Sequence, residues 1–188
     1  GLMDELDAGS EATAPVWAVF GDLMAGLLGA FVLILAAALG MPYAFASHFA
    51  PDHLDAAIKL YRERFTPSPA LDKPHVMAAM TVITAETDAE ATLLASSLDQ
   101  GFIALRTGNP GRLKPPVPGY RDSLPPQTQA MLEHVRQASA VGAPATVREA
   151  IGRFVERTGA DEIIVAGATY DPAAREHSLA LTVEALAS

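Results

Sequence analysis

The stretch Thr158-Gly159-Ala160-Asp161-Glu162-Ile163-Ile164-Val165-Ala166 decides the fold. Four apolar residues in succession after two acids predict a short strand buried on both faces, as in a parallel sheet. Gly159 ahead of them is a natural helix stop. The helix it stops is predicted from Ala145 to Thr158, after Gly142-Ala143-Pro144. Val147, Ile151, Phe154 and Val155 recur there at helical spacing and face inward, while Glu149 and Arg153 make a surface i,i+4 pair. Downstream, Pro172 to Ala187 predicts a closing helix.

The same alternation runs upstream. His75 to Thr84 predicts a strand with Val76, Ala78, Met80 and Val82 on one face. Thr87-Asp88 opens a helix through Leu105, with Ala91, Leu94, Leu98 and Phe102 as its inner stripe and Asp88 complementing the helix dipole. Gly108 to Pro126 is dense in Pro and Gly, and so long an irregular stretch is usually functional or mobile. Gln127 to Ala138 predicts a short helix. Near the start, Gly40 and Pro42 end a helix, and Tyr43 to Ser47 predicts a buried strand. Asp52 is placed to cap a helix running to Arg64, with Leu54, Ile58 and Tyr61 as its stripe, and three prolines make Thr66 to Pro74 a loop. Strands alternating with helices at this spacing mean an α/β domain with a parallel sheet.

With 188 residues, half of them hydrophobic, the chain buries a good core as one domain. It is short for a complete eight-stranded β/α barrel, which needs roughly 250 residues. A net charge of -9 with scattered Lys and Arg excludes a nucleic-acid binder, since nothing neutralises phosphates. Without Cys there is no disulfide or thiolate site, and no His and carboxylates share metal-site spacing, so no metal is expected. Leu23 to Ala46 carries no charge, and Leu23 to Gly40 is nearly all apolar, about the length of a membrane span. A signal peptide is disfavoured by the acids Asp4, Glu5, Asp7 and Glu11 before it. The helix stop at Gly40 and Pro42 favours a buried helix packed on the sheet, with a membrane anchor as the alternative.

Four segments carry a resemblance. Leu39-Gly40-Met41-Pro42-Tyr43-Ala44-Phe45-Ala46-Ser47-His48-Phe49-Ala50-Pro51 resembles a characteristic segment of luciferase-like flavin-dependent monooxygenases. Leu60 to Phe65, Thr84 to Ala91, and Val141 to Pro144 with Thr158 to Glu162 are similar to further pieces of that family, in the same order. The resemblance covers about Leu35 to Leu186 and implies the C-terminal part of a (β/α)8 TIM barrel, lacking the early strands. It divides the chain into a divergent N-terminal segment, 1–34, and the partial barrel, 35–188, with a Pro/Gly-rich insertion at about 106–128.

The resemblance also implies chemistry. The family uses reduced FMN, or a deazaflavin, with O2 on a small organic substrate, and a separate flavin reductase often supplies the flavin. It places Phe45, Ala46 and Ser47 beside the isoalloxazine ring, where small residues let backbone groups approach its edge. His48, ionisable near neutral pH, is then the catalytic candidate, steadying negative charge on the reduced flavin. Pro15-Val16-Trp17 resembles the strand before the family's phosphate loop, and Gly21 is the residue left to hold the phosphate. Asp22 stands where a hydroxyl would serve, so the phosphate is expected to be poorly held. His53, His75, His134 and His177 read as solvated, edge or surface residues. Three readings follow: a cytoplasmic flavoprotein oxidoreductase; a non-catalytic fragment that forms a homo-oligomer or pairs with a missing N-terminal half; and a chain anchored in a membrane through residues 23–40.

Overall fold

The computed structural model describes residues 28–47 and 51–187. Residues 28–38 form the first helix, α1. The elements that follow are β1 (Tyr43–Phe45), α2 (Leu54–Arg64), β2 (Val76–Thr84), α3 (Asp88–Arg106), α4 (Pro126–Val135), β3 (Ser139–Gly142), α5 (Pro144–Thr158), β4 (Glu162–Ala166) and α6 (Pro172–Ala187). Every strand pairing is parallel, and β2 is common to all three. Met77 pairs with both Ala44 and Glu162, and Thr81 with both Ser139 and Ala166. One residue has one partner per edge, so β4 occupies one edge of β2, while β1 and then β3 share the other.

One face of this sheet holds the main core. Val76, Ala78, Met80 and Val82, the face predicted for β2, meet Leu54, Ile58 and Tyr61 of α2 and Val147, Ile151 and Phe154 of α5. Tyr61 is fully buried, and its phenol donates to the Met41 carbonyl at 2.7 Å while His75 N–H donates to it at 3.3 Å. The starts of β1 and β2 are thereby tied to one side chain, and burial pushes the phenol pKa up. Gly159 takes the left-handed conformation that ends α5, φ 59°, which L side chains avoid. Arg62 reaches across to donate to the carbonyls of Thr158 and Gly159, serving two acceptors at the helix end.

The opposite face carries Ala44, Thr81, Ser139, Val141, Ile164 and Ala166, by the strand registers. It is covered only in part, by α3 and α4. The buried face of α3 is not the stripe expected. Ala91 and Ala95 are buried, but Ser96, Ser97 and Asp99 are buried with them, and Leu94, Leu98 and Phe102 are half-buried. Helical spacing alone does not choose between two adjacent stripes when small polar residues find internal partners. Here Asp99 pairs with Arg136, and the Ser96 hydroxyl both donates to Leu93 O and accepts from Val117 N–H.

Five further expectations are corrected. Residues 28–38 are helical, but the helix is not buried: Leu33 and Ala37 enter the core while Leu28, Phe31, Ile34 and Leu35 are exposed. An apolar run without periodicity gives length and not orientation, and only one narrow stripe of α1 finds the sheet. β1 ends at Phe45, two residues short. β4, expected to be buried on both faces, is an edge strand with Ile164 42% exposed. The helix expected over Gln127 to Ala138 is α4 followed by a 3-10 turn, Arg136–Ala138, and the chain then enters β3, which was not expected. The Asp52 carboxylate pairs with His134 at 2.6 Å instead of capping α2.

Candidate functional site

Parallel sheets bind ligands beyond the carboxyl ends of their strands, where loops leave a rigid frame. Among the described residues those ends are Ala46-Ser47 after β1, Ala85-Glu86 after β2, Ala143 after β3 and Gly167-Ala168 after β4. They are tied together by side chains. Thr84, the last residue of β2, shares a 2.7 Å hydrogen bond with the Thr182 hydroxyl, and its N–H donates to the Ser178 hydroxyl at 2.8 Å. Glu86 meets His177 at 3.1 Å. Asp88 accepts from Ala143 N–H at 2.7 Å, fixing the end of β3 to the start of α3. That hydrogen bond, with a second from the Thr146 side chain, holds the Asp88 carboxyl below its usual pKa.

The residues predicted for the ring site divide. Phe45 is buried in an aromatic cluster, 4.8 Å from the Tyr43 ring and 6.3 Å from Tyr61, so its side chain belongs to the core. Ser47 is 2% exposed, and its hydroxyl donates to the Ala79 carbonyl at 2.6 Å. Ala79 lies between the segments of β2 that pair with β1 and with β3, so this hydroxyl fills a gap in the ladder. Ala46 is exposed, as is Ala44 on the less covered face. His48 and Gly21 lie outside the described residues. Of the other histidines, His75 pairs with Glu162 at 2.8 Å, His134 and His177 are paired as above, and His53 is exposed. Among the described residues no cluster of His, Asp or Glu could hold a metal ion.

Two cavities escaped the sequence reading, because each is walled by residues far apart in the chain. One, of about 400 Å³, lies between the less covered sheet face and the helices α3 and α4. Thr81, Val141 and Ala166 floor it, and Leu98, Phe102 and Leu132 roof it. Asp99 and Arg136 sit in its wall as a buried two-point pair, at 2.7 and 3.1 Å. Burial pushes the Asp99 carboxyl up and the Arg136 guanidinium down, each more than its partner offsets. The other, of about 450 Å³, lies where the Pro/Gly-rich stretch folds back over α3, and Ser96, Tyr120 and Arg121 line it. That stretch is held by Gln100 donating to Pro115 O at 2.9 Å and by Val117 N–H donating to Ser96 at 2.8 Å.

Comparison with known proteins supplies what the geometry lacks. Residues 23–162 match the model of the luciferase-like monooxygenase family. A luciferase-like monooxygenase of Escherichia coli (strain K12) is 39% identical over 170 residues, 90% of this chain and 49% of that protein. The uncharacterized Bacillus subtilis protein YvbT is 38% identical over 178 residues, 94% of this chain and 50% of that protein. Among solved structures, apo-MsnO8 superposes with a TM-score of 0.68 at 28% identity, over 84% of this chain and 48% of that one. The oxygenating constituent of 3,6-diketocamphane monooxygenase from Pseudomonas putida, solved with FMN, shares the fold at a TM-score of 0.53 and 24% identity, over 82% of this chain and 44% of that one. The chain thus spans about half the length of the curated relatives it matches.

Proposed function

The chain belongs to the luciferase-like monooxygenase family, and from that premise we propose that it forms one side of a site for reduced FMN and a small organic substrate. Its open parallel sheet is part of a TIM-type barrel. The observation that carries the reading is Ala44, exposed on the sheet face that also floors the 400 Å³ cavity, with the exposed Ala46 just past the end of β1. Two methyl groups leave a flat wall, which fits an isoalloxazine ring, and the neighbouring cavity fits an apolar substrate. Bound there, reduced flavin supplies the electrons for oxygen activation. The chain's own part is to orient and to exclude water. Ser47 fixes the β1 end against β2 so that the peptide of Ala46 keeps one position, and His48, by the family resemblance, would hold negative charge on the bound flavin. A deazaflavin is the alternative cofactor, and a reductase is the partner that would deliver the flavin.

The phosphate end is the weak one. Asp22 beside Gly21 repels a phosphate, and each missing charge-assisted hydrogen bond forfeits on the order of 1.5–3 kcal/mol. Two such losses weaken binding roughly a hundredfold or more. Anaerobic titration with reduced FMN tests both ends. Binding is expected to be weak, to be lost in Ala46→Leu, and to tighten in Asp22→Ser with riboflavin binding unchanged. Sub-micromolar binding by the unaltered chain overturns the phosphate argument, and indifference to Ala46→Leu overturns the ring position.

A second reading, a non-catalytic half that pairs with another chain, is favoured by the apolar side chains left outside the core on α1 and α6, among them Phe31, Leu35 and Val183. In either case a cytoplasmic protein is proposed. No described helix is long and apolar enough to cross a membrane.

A further inference from the structure

The cavity of about 400 Å³ has walls that select a chemical class. Its lining is mostly apolar, and three charged residues contribute to it: Asp99, Arg136 and Arg175. Asp99 and Arg136 satisfy each other through two hydrogen bonds, with side chains only 4% and 17% exposed. They therefore present a neutral pair to anything bound. Arg175, near the start of α6, is exposed and has no ion-pair partner among the described residues. It lines an apolar cavity and reaches water, so it stands at the mouth.

We propose that this cavity binds a small organic acid, its apolar body against Leu98, Phe102 and Leu132 and its carboxylate at Arg175. A neutral ligand would leave the guanidinium without a counter-charge, and an amine would meet it with the same sign. Arg forms two parallel hydrogen bonds to a carboxylate, which also fixes which end of the ligand faces out. The chain's net charge of -9 repels an anion at long range, so contact at Arg175 decides the affinity. Calling this acid the substrate rests on the monooxygenase reading above. Its binding does not.

The test is calorimetric titration of the whole chain, without flavin, using decanoate, 1-decanol and decylamine below their micelle concentrations. Decanoate should bind tightest. In Arg175→Gln, a surface change that leaves the fold intact, decanoate should weaken about tenfold, the effect of losing one charge-assisted hydrogen bond, with 1-decanol unchanged. Ala168→Leu, which narrows the cavity, should weaken all three ligands. If circular dichroism shows that variant unfolded, Leu98→Trp narrows the cavity from the opposite wall. Equal affinity for the three ligands, no binding of decanoate, or an unaltered Arg175→Gln overturns the proposal. Decanoate binding without FMN binding would sink the flavin reading and leave this one standing. FMN binding without decanoate binding would do the reverse.

Discussion

The Ser47 hydroxyl serves a carbonyl that neither β1 nor β3 reaches, and it does so out of contact with water. Removing it in Ser47→Ala leaves a buried acceptor without its partner, which costs about 1–3 kcal/mol. A urea midpoint should show that loss, and a stability equal to that of the unaltered chain would mean the gap in the ladder is solvated. Asp88 links β3 to α3 through Ala143, and its effect depends on pH. Its carboxyl is held below the usual 3.8, chiefly by that backbone hydrogen bond. A carboxyl with a lower pKa folded than unfolded stabilises the fold when ionised. That contribution is whole above 3.8 and is lost as pH falls through the lower, folded value. Asp99, whose pKa burial raises, acts with the opposite sign, losing stability as pH rises through its folded value. Comparing Asp88→Asn with the unaltered chain isolates the first effect. The variant should unfold less steeply with acid, and identical acid limbs would refute the role given to Asp88.

At the scale of elements, α1 is the informative one. Its sequence is apolar all round, yet only a stripe through Leu33 and Ala37 enters the core. The cost of truncation should follow that stripe and not hydrophobicity. Leu33→Ala is expected to destabilise by about 2–5 kcal/mol. Phe31→Ser, at a side chain 62% exposed, should stay within about 0.5 kcal/mol. Thermal melts of the two variants check this, and comparable losses in both would show that α1 buries a different face in solution. β3 is the contrasting case. Ser139-Ala140-Val141-Gly142 is too short and too mild in hydropathy to signal a strand, and it forms because Thr81 to Thr84 offer it a free edge.

For the whole molecule, the open sheet and the span of about half of its relatives' length have one consequence. Apolar surface remains on several sides: Leu28 and Phe31 on α1, Ile164 on β4, and Val183, which is 68% exposed, on α6. Exposed apolar side chains drive association where they adjoin one another. Sedimentation should therefore show a concentration-dependent increase in mass, which Val183→Glu and Phe31→Glu reduce. A monomer at all concentrations would remove the support for the pairing reading.

What the sequence by itself determined is the parallel α/β class, the strand Val76–Thr84, the closing helix Pro172–Ala187 and the family. Each rests on local information: helical spacing in α5, stops at Gly40 and Gly159, and segments quoted in order. The exposure of Ala46 beside a buried Ser47, the neutral pair of Asp99 and Arg136, and the two cavities were decided by the tertiary structure alone. They depend on which face of an element meets which neighbour. A hydroxyl after a strand or a charge within a helix takes its role from a partner such as Ala79, 32 residues away, and no local pattern contains that partner.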